Sequence, residues 1–413
     1  MNKFMTTNNK LFHPNLHGYR RDRSTQTALL SMYDKWVRAA SKGQVSGVIL
    51  LDLSAAFDLV DPVLMIKKLR IYGVEEDYIA WISSYLTNRY QAVWIDHVYS
   101  EFLHCQVGVP QGSNLGPLFF IIFFNDLPYS LDSPVDSYAD DTSLSATGSS
   151  VAEIGDKLTS DCERVSFWMR ANKLKLNPDK THILTVGTQE RLNTLTNTIR
   201  VVMDDTLLSE DPTKCELLLG CQISSNMKWH KQIAVLTAKL RTRLLGINHL
   251  KYICNYDTRK TITEGMFNSV LVYCLSVFGG LDKGEVKEVQ VLQNKAARLV
   301  CLAPPRARRV ELYKKLGWLS VNQLISYHDL ITVFKIRNSL EPEYLAGFLR
   351  NDNRNGSIVV PNQRLSVTQK SFVFRGSTLW NQPSLNVRNS AKIGSFKRGV
   401  KQWIISNIDQ FLD

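Results

Sequence analysis

Apolar side chains change their spacing along this chain, and each spacing predicts an element. Within residues 46 to 53 the run Val48-Ile49-Leu50-Leu51, bounded by Ser46-Gly47 and Ser54, predicts a strand buried on both faces. Asp61 then stands as an N-cap with Pro62 at the first helical position, and Leu64, Ile66 and Leu69 carry a helix as far as Gly73. A second helix is expected from about Asp77 to Leu86, and a β-hairpin from Gln91 to Asp96 and Glu101 to Val107.

Residues 115 to 124 are apolar on nearly every side, which predicts a buried helix ending near Asn125-Asp126-Leu127-Pro128. Two short strands, Val135 to Tyr138 and Thr142 to Ala146, flank Asp140-Asp141 and make a hairpin with acids at its tip. Ile154, Leu158, Cys162, Val165 and Met169 recur at helical steps through residues 151 to 170. After the turn Asn177-Pro178-Asp179 a strand is expected at Thr181 to Val186, and three short strands between 199 and 224. Beyond Trp229 the pattern lengthens into helices at about 230 to 250, 257 to 278 and 285 to 301, and this shift marks the best domain boundary. Pro304, Pro305 and the cluster Arg306, Arg308, Arg309 break the helical run, and Asn351 to Gly356 reads as a polar loop.

With 44% hydrophobic and 21% charged positions among 413 residues, the chain is globular, and its length suggests two or three domains. Lys and Arg total 50 against 38 Asp and Glu, a net charge of 50 − 38 = +12, so nucleic acid is the default partner. The arginine cluster taken alone is more often a solvated surface than a specific site. Seven scattered cysteines form no Cys-x-x-Cys pair and no Cys/His cluster at zinc-ligand spacing, so they read as reduced, mostly buried thiols. The segment after Met1 is polar, unlike a secretory signal, and the longest apolar stretch, Leu118 to Phe124, is too short for a bilayer. The expectation is a soluble intracellular protein, nuclear or cytoplasmic, with no membrane partner.

Candidate chemistry centres on three aspartates: Asp52, which closes the first apolar strand, and the pair Asp140, Asp141. Acids from two separate segments are what two magnesium ions need when phosphoryl transfer to a hydroxyl is assisted by cations roughly 3.5 to 4 Å apart. Any one of these acids alone is more often structural, since Asp-Asp is common in turns and an Asp after a strand often caps or turns the backbone. Their joint context changes the odds.

That context resembles the reverse transcriptase of non-LTR retrotransposons, the LINE-type elements of the jockey and CR1 kind, block by block and in order. His17-Gly18-Tyr19-Arg20-Arg21-Asp22-Arg23-Ser24-Thr25 is similar to the segment after the family's fingers. Leu51-Asp52-Leu53-Ser54-Ala55-Ala56-Phe57-Asp58 looks like polymerase motif A, Gly108-Val109-Pro110-Gln111-Gly112-Ser113 like motif B, and Tyr138 to Asp141 like motif C. Leu174 to Thr181 is similar to motif D, Leu219-Gly220 begins a segment like motif E, and Phe374 to Arg388 resembles the tail of such elements.

The resemblance implies an α+β right-hand polymerase, with a palm whose antiparallel sheet carries the acids, partial fingers and an α-helical thumb. On that reading residues 1–45 are partial fingers, 46–224 the palm with motifs A to E, 225–303 the thumb, and 304–413 a basic helical and loop region. Asp52, Asp140 and Asp141 become catalytic metal ligands for two Mg2+ ions, with Mn2+ as a substitute. Phe57 would reject a 2′ hydroxyl beneath the incoming sugar, although as a bare feature it reads as core. Gln111, Gly112 and Tyr138 would line the nucleotide site, with Gly108 letting the backbone approach. Lys180 is the candidate general acid for pyrophosphate, with Lys173 and Lys175 as alternatives.

Residues 219 to 224 match the primer grip. The implied partners are template RNA, primer DNA and deoxynucleoside triphosphates. Neither the family's upstream endonuclease nor its Arg-Pro-Ile fingers block has a counterpart, so the chain is expected to be truncated at its N-terminus. Arg20, Arg21 and Arg23 are the available substitutes for that block's cationic grip. The smaller departures are Phe123-Phe124, where the family more often has tyrosine, and Pro62 after Asp61. An inactive remnant that binds RNA or RNA-DNA hybrid stays open as an alternative, with an interaction scaffold built on the C-terminal helices as a third class.

Overall fold

The structure, a computed structural model, describes residues 5, 11–177, 180–210, 213–352 and 356–407. In chain order the elements are α1 (Thr25–Ser41), β1 (Val45–Leu51), β2 (Leu53–Ser54), α2 (Pro62–Ile71), α3 (Glu76–Leu86), β3 (Arg89–Gln91), β4 (Trp94–Ile95), β5 (Val98–Tyr99), β6 (Leu103–Cys105) and α4 (Gly116–Phe124). Next come β7 (Val135–Tyr138), β8 (Asp141–Gly148), α5 (Val151–Ala171), β9 (Lys175–Leu176), β10 (His182–Val186), α6 (Gln189–Asn193), β11 (Val202–Met203), β12 (Thr206–Leu207), β13 (Cys215–Leu218) and β14 (Cys221–Ser224). Helices follow: α7 (His230–Leu250), α8 (Tyr256–Thr263), α9 (Ser269–Val272), α10 (Leu275–Phe278), α11 (Lys283–Cys301), α12 (Arg309–Leu316), α13 (Val321–Arg337), α14 (Ser366–Gln369), α15 (Phe372–Trp380), α16 (Leu385–Arg388) and α17 (Ile393–Ser406).

The chain divides into two compact units. The first, residues 1–24, 44–186 and 190–214, is built on a four-stranded sheet in the order β10-β1-β8-β7. Every pairing in it is antiparallel, as expected for the α+β class. Strand β1 occupies an interior position and is buried along almost its whole length, which explains why its sequence does not alternate. Asp61 caps α2 as expected, its Oδ1 accepting from the Val63 and Leu64 N–H groups at 2.8 and 3.0 Å. In α4, Phe119 through Phe124 are all buried; Phe120 stacks on Phe124 with centroids 5.6 Å apart, and Phe124 meets Trp168 of α5 edge-on at 5.2 Å.

Three expectations change in detail. The hairpin after α3 turns at Asp96-His97, where both residues take positive φ, and its ladder is split into β3/β6 and β4/β5. The described residues between 199 and 224 hold four short strands where three were expected, paired as β11/β12 and β13/β14. The single helix expected over 257 to 278 is interrupted by a π-turn at Glu264–Asn268 and by Cys274, whose φ of +53° no α-helix accommodates. Of the turn Asn177-Pro178-Asp179, Pro178 and Asp179 lie outside the described residues, as do 353–355 of the loop from Asn351 to Gly356.

The second unit takes residues 25–43, 187–189 and 215–413. Helix α13 is its hub: Leu330, Val333 and Phe334 are buried, and Phe334 stacks on Phe396 of α17 with centroids 4.2 Å apart. Asp329, fully buried in α13, accepts from Arg375 of α15 through both carboxylate oxygens at 2.9 and 3.1 Å. All seven cysteines are free, and Cys162, Cys215, Cys221 and Cys274 are buried. Among the described residues, no helix is long and apolar enough to cross a membrane.

Candidate active site

Strand pairing decides where the three acids go. The β1/β8 register runs from Val45↔Gly148 to Leu51↔Thr142, so one further step sets Asp52 opposite Asp141. On the other side β7 pairs with β8 through Tyr138↔Asp141, which leaves Ala139 and Asp140 as a two-residue hairpin loop. Ala139 takes φ +60°, a conformation that costs a residue with a side chain about 1 kcal/mol or more. Asp140 and Asp141 are exposed, while Asp52 is half-buried. Partial burial raises the Asp141 carboxyl above its ordinary value, and the charges of Asp140 and Asp52 push it further. The three acids thus share one electrostatic neighbourhood at one end of the sheet.

Two segments brace this end. Leu16 bridges Ser137 in parallel, His17 N–H donates to the Ser137 carbonyl at 2.7 Å, and Ser137 N–H donates to Asn15 at 3.0 Å. The N-terminal segment thereby extends the β7 edge. His17 Nε2 and Asp136 Oδ1 are hydrogen-bonded at 3.2 Å, both buried. Gly18 lies so close to the hairpin loop that a Cβ on it would sit 2.5 Å from Ala139 N. On the β1 side, Asn177 N–H donates to the Asp52 carbonyl at 3.1 Å, and Asp52 N–H reaches Thr181 Oγ1 at 3.4 Å. Both backbone polar groups of Asp52 are therefore tied to the segment that resembles motif D.

The loop after β2 is zipped to the loop before α4. Gly108 N–H donates to Val60 at 2.8 Å and Val109 N–H to Phe57 at 3.0 Å. Gly108 has φ +87°, and a Cβ there would stand 2.8 Å from the Asp58 carbonyl, so only glycine fits. Gly112 also has a positive φ, +79°, but faces open space. Phe57 is half-buried, stacked on Phe120 at 4.2 Å, with Tyr19 edge-on at 6.1 Å. Gln111 is exposed and donates through Nε2 to Asp58 Oδ1 at 2.6 Å. Tyr138 is half-buried beside the acids.

The lysines divide clearly. Lys173 Nζ is spent on Asp61 Oδ2 at 2.6 Å, and that ion pair helps hold the Asp61 carboxyl below its ordinary value against the effect of burial. Lys175, whose backbone pairs across from Ser54, and Lys180, next to Thr181, are both exposed. Arg20 donates to the carbonyls of His13 and Leu16 and Arg23 to that of Pro14, so both guanidinium groups are turned to their own segment, while Arg21 stays exposed beside Asp22. In the second unit, Leu219 and Gly220 both take positive φ at the tip of the β13/β14 hairpin, the type I′ pattern, and Tyr273 Oη donates to the Leu219 carbonyl at 2.8 Å.

His17, Gly18, Asp58 and Asp136 were not singled out as site residues from the sequence. An Asp inside a strand expected to be buried was the available signal, because such a carboxylate demands a donor. As a donor set, three carboxylates with one raised by its neighbours suit hard divalent cations, which take oxygen ligands and relieve that repulsion.

A family model described as reverse transcriptase (RNA-dependent DNA polymerase) matches residues 1–249. The probable RNA-directed DNA polymerase from transposon BS of Drosophila melanogaster is 25% identical over 327 residues, which covers 75% of this chain and 35% of that protein. The RNA-directed DNA polymerase from mobile element jockey of Drosophila funebris is 26% identical over 312 residues, 71% of this chain and 33% of its own. The chain therefore spans about a third of the length of these relatives. Among solved structures, a telomerase from Candida tropicalis in complex with a TWJ fragment of telomeric RNA aligns with a TM-score of 0.40 and 9% identity, over 76% of this chain and 55% of that one. Since the family's model covers 249 of the 413 residues, with all three candidate acids inside it, the chain belongs to the reverse transcriptase (RNA-dependent DNA polymerase) family.

Proposed function

We propose that this chain is the polymerase portion of a non-LTR retrotransposon reverse transcriptase, which copies template RNA by adding deoxynucleotides to a primer 3′ hydroxyl. The observation that carries this reading is the convergence of Asp52, Asp140 and Asp141, with the Asp141 carboxyl raised first by partial burial and further by its two neighbours. Two Mg2+ ions, with Mn2+ as substitute, held by these carboxylates would lower the pKa of the primer hydroxyl and offset the charge of the triphosphate. Phe57, fixed on Phe120, offers a rigid ring to exclude a 2′ hydroxyl. Gln111 and Gly112 would meet the nucleotide, Gln111 by leaving Asp58 or by being oriented through it. Tyr138 would flank the same nucleotide from the β7 side. Lys180 would protonate pyrophosphate, with Lys175, which is also exposed, as the alternative, whereas Lys173 is committed to Asp61. On this reading residues 46–224 supply the palm, and residues 225–303, with α7 to α11, the thumb.

Primer extension on an RNA template tests the reading. Asp140→Asn should lower the rate at least about 100-fold, roughly 2.7 kcal/mol of transition-state stabilisation, while folding is kept. Full activity in that variant would remove the mechanism.

A second reading, binding of RNA or RNA-DNA hybrid without turnover, is favoured by one observation. Arg20 and Arg23, two of the three candidates for gripping a triphosphate, are engaged with backbone carbonyls. Salt-dependent binding of primer-template with no extension at any Mg2+ or Mn2+ concentration would select it.

A further inference from the structure

Away from the acid-bearing sheet, in the second unit, three side chains from two helix starts converge. His230 is the first residue of α7, Asp282 is the N-cap of α11, and Glu285 is the third residue of α11. One ligand atom from each lies within 4.8 Å of the other two. His230 Nδ1 comes to 2.7 Å from Glu285 Oε1, in a side chain only 10% exposed. That oxygen is buried and has no hydrogen-bond partner. Its sister oxygen is occupied, since Glu285 Oε2 accepts from Asp282 N–H at 2.8 Å.

A buried carboxylate oxygen without a donor is costly, and structures rarely tolerate one. Here a ring nitrogen stands at contact distance without the alignment of an N–H···O bond. Neighbouring ligand atoms on a tetrahedral zinc with bonds of about 2.1 Å stand about 3.4 Å apart, so the His230 ring has only to draw back by under about 1 Å from Glu285 to admit an ion. Lys370 Nζ lies 2.5 Å from Asp282 Oδ1, and the Asp282 side chain also accepts from the Glu285 N–H in the capping box. His230 and Asp282 are exposed enough for an ion to enter, where it would compete with Lys370, His230 and Lys228 for the Asp282 carboxylate.

The geometry points to a divalent transition-metal site at His230, Asp282 and Glu285, distinct from the aspartate cluster, that ties the start of α7 to the start of α11. One imidazole with two carboxylates suits zinc far better than magnesium, and three protein ligands leave a position open to water or to a further ligand. The site is invisible to sequence spacing because its histidine and its acids come from different helices. It does not depend on the polymerase reading.

The test is zinc binding by the whole chain after chelator dialysis, measured calorimetrically with about 5 mM Mg2+ present to occupy hard-oxygen sites. The expected result is one Zn2+ per chain and a higher thermal midpoint on adding it. Glu285→Gln keeps the side-chain acceptor of the capping box, so the helix start is preserved while the ligand charge is lost. It and His230→Ala should each weaken zinc at least about tenfold, since even outer partners of a metal site cost that much. Asp140→Asn should leave the zinc stoichiometry unchanged. Absence of stoichiometric zinc, or full retention by both Glu285→Gln and His230→Ala, would overturn the assignment.

Discussion

Gly18 and Ala139 control where Asp140 sits. Ala139 holds φ +60° although it has a side chain, and Gly18 is packed against its backbone with no room for a methyl group. The atoms a Cβ would strike are Ala139 N at 2.5 Å, Ala139 Cα at 3.2 Å and Tyr138 C at 3.3 Å, all backbone, so the hairpin loop itself would have to move. Gly18→Ala should therefore reduce primer extension by tenfold to about 100-fold, because misplacement by an ångström is worth that much in a preorganised site. The thermal midpoint should fall far less than activity; proportionate loss of both would refute a positioning role for Gly18. Asp141 offers a second test. Its raised carboxyl marks repulsion that a divalent cation relieves, so Mg2+ should raise the thermal midpoint of the wild type and have little effect on Asp141→Asn. The acids themselves were legible in the sequence because they sit in ordered blocks, whereas Gly18 was not: its demand arises only when β7 folds back onto the N-terminal segment.

At the scale of elements, local pattern succeeded where one face of a segment decides its structure. Helix α5 carries its apolar period and helix α2 its period and cap in their own sequence, strand β1 is marked by an unbroken apolar run, and each was predicted. The break between α9 and α10 was not, because it answers to distant groups. Tyr273 Oη donates to the Leu219 carbonyl at 2.8 Å and lies 3.1 Å from Thr25 Oγ1, and Cys274 pays for that placement with a left-handed backbone. The tail shows the same dependence on remote partners. Arg375 reaches Asp329 through two hydrogen bonds and the Ser276 carbonyl through a third at 2.8 Å, so it fastens α15 to α13 and to α10. Arg375→Ala would strand a fully buried carboxylate, and denaturant unfolding should report a loss of about 3 to 5 kcal/mol. A double variant that also carries Asp329→Leu should recover much of it, since the stranded charge and not the missing bond is the main cost.

The whole molecule carries a net charge of +12, and its second unit buries a titratable group in that positive setting. His328 in α13 is pushed down to about 4 by burial, and the nearby Lys397 and Lys335 hold it down further. Its ordinary value in the unfolded chain is 6.5. Between these two values the unfolded chain binds a proton that the folded chain refuses, so stability must rise with pH across the window and fall as the solution is acidified through it. A shift from 6.5 to about 4 corresponds to about 3 kcal/mol at full extent. His328→Gln removes the proton-binding group from both states, so its stability should change less between pH 7 and pH 4 than that of the wild type, by up to that amount. Urea unfolding at a series of pH values, followed by a probe in the second unit such as Trp380, which is buried there, reads the difference directly. Parallel pH profiles for wild type and His328→Gln would mean that the imidazole is not held neutral by the fold. Asp141 in the first unit has the opposite sign: its carboxyl is raised, so the folded chain binds the proton more readily than the unfolded one and that contribution grows as pH falls. Asp141→Asn should therefore shift the pH profile of unfolding in the opposite direction to His328→Gln, each compared with the wild type.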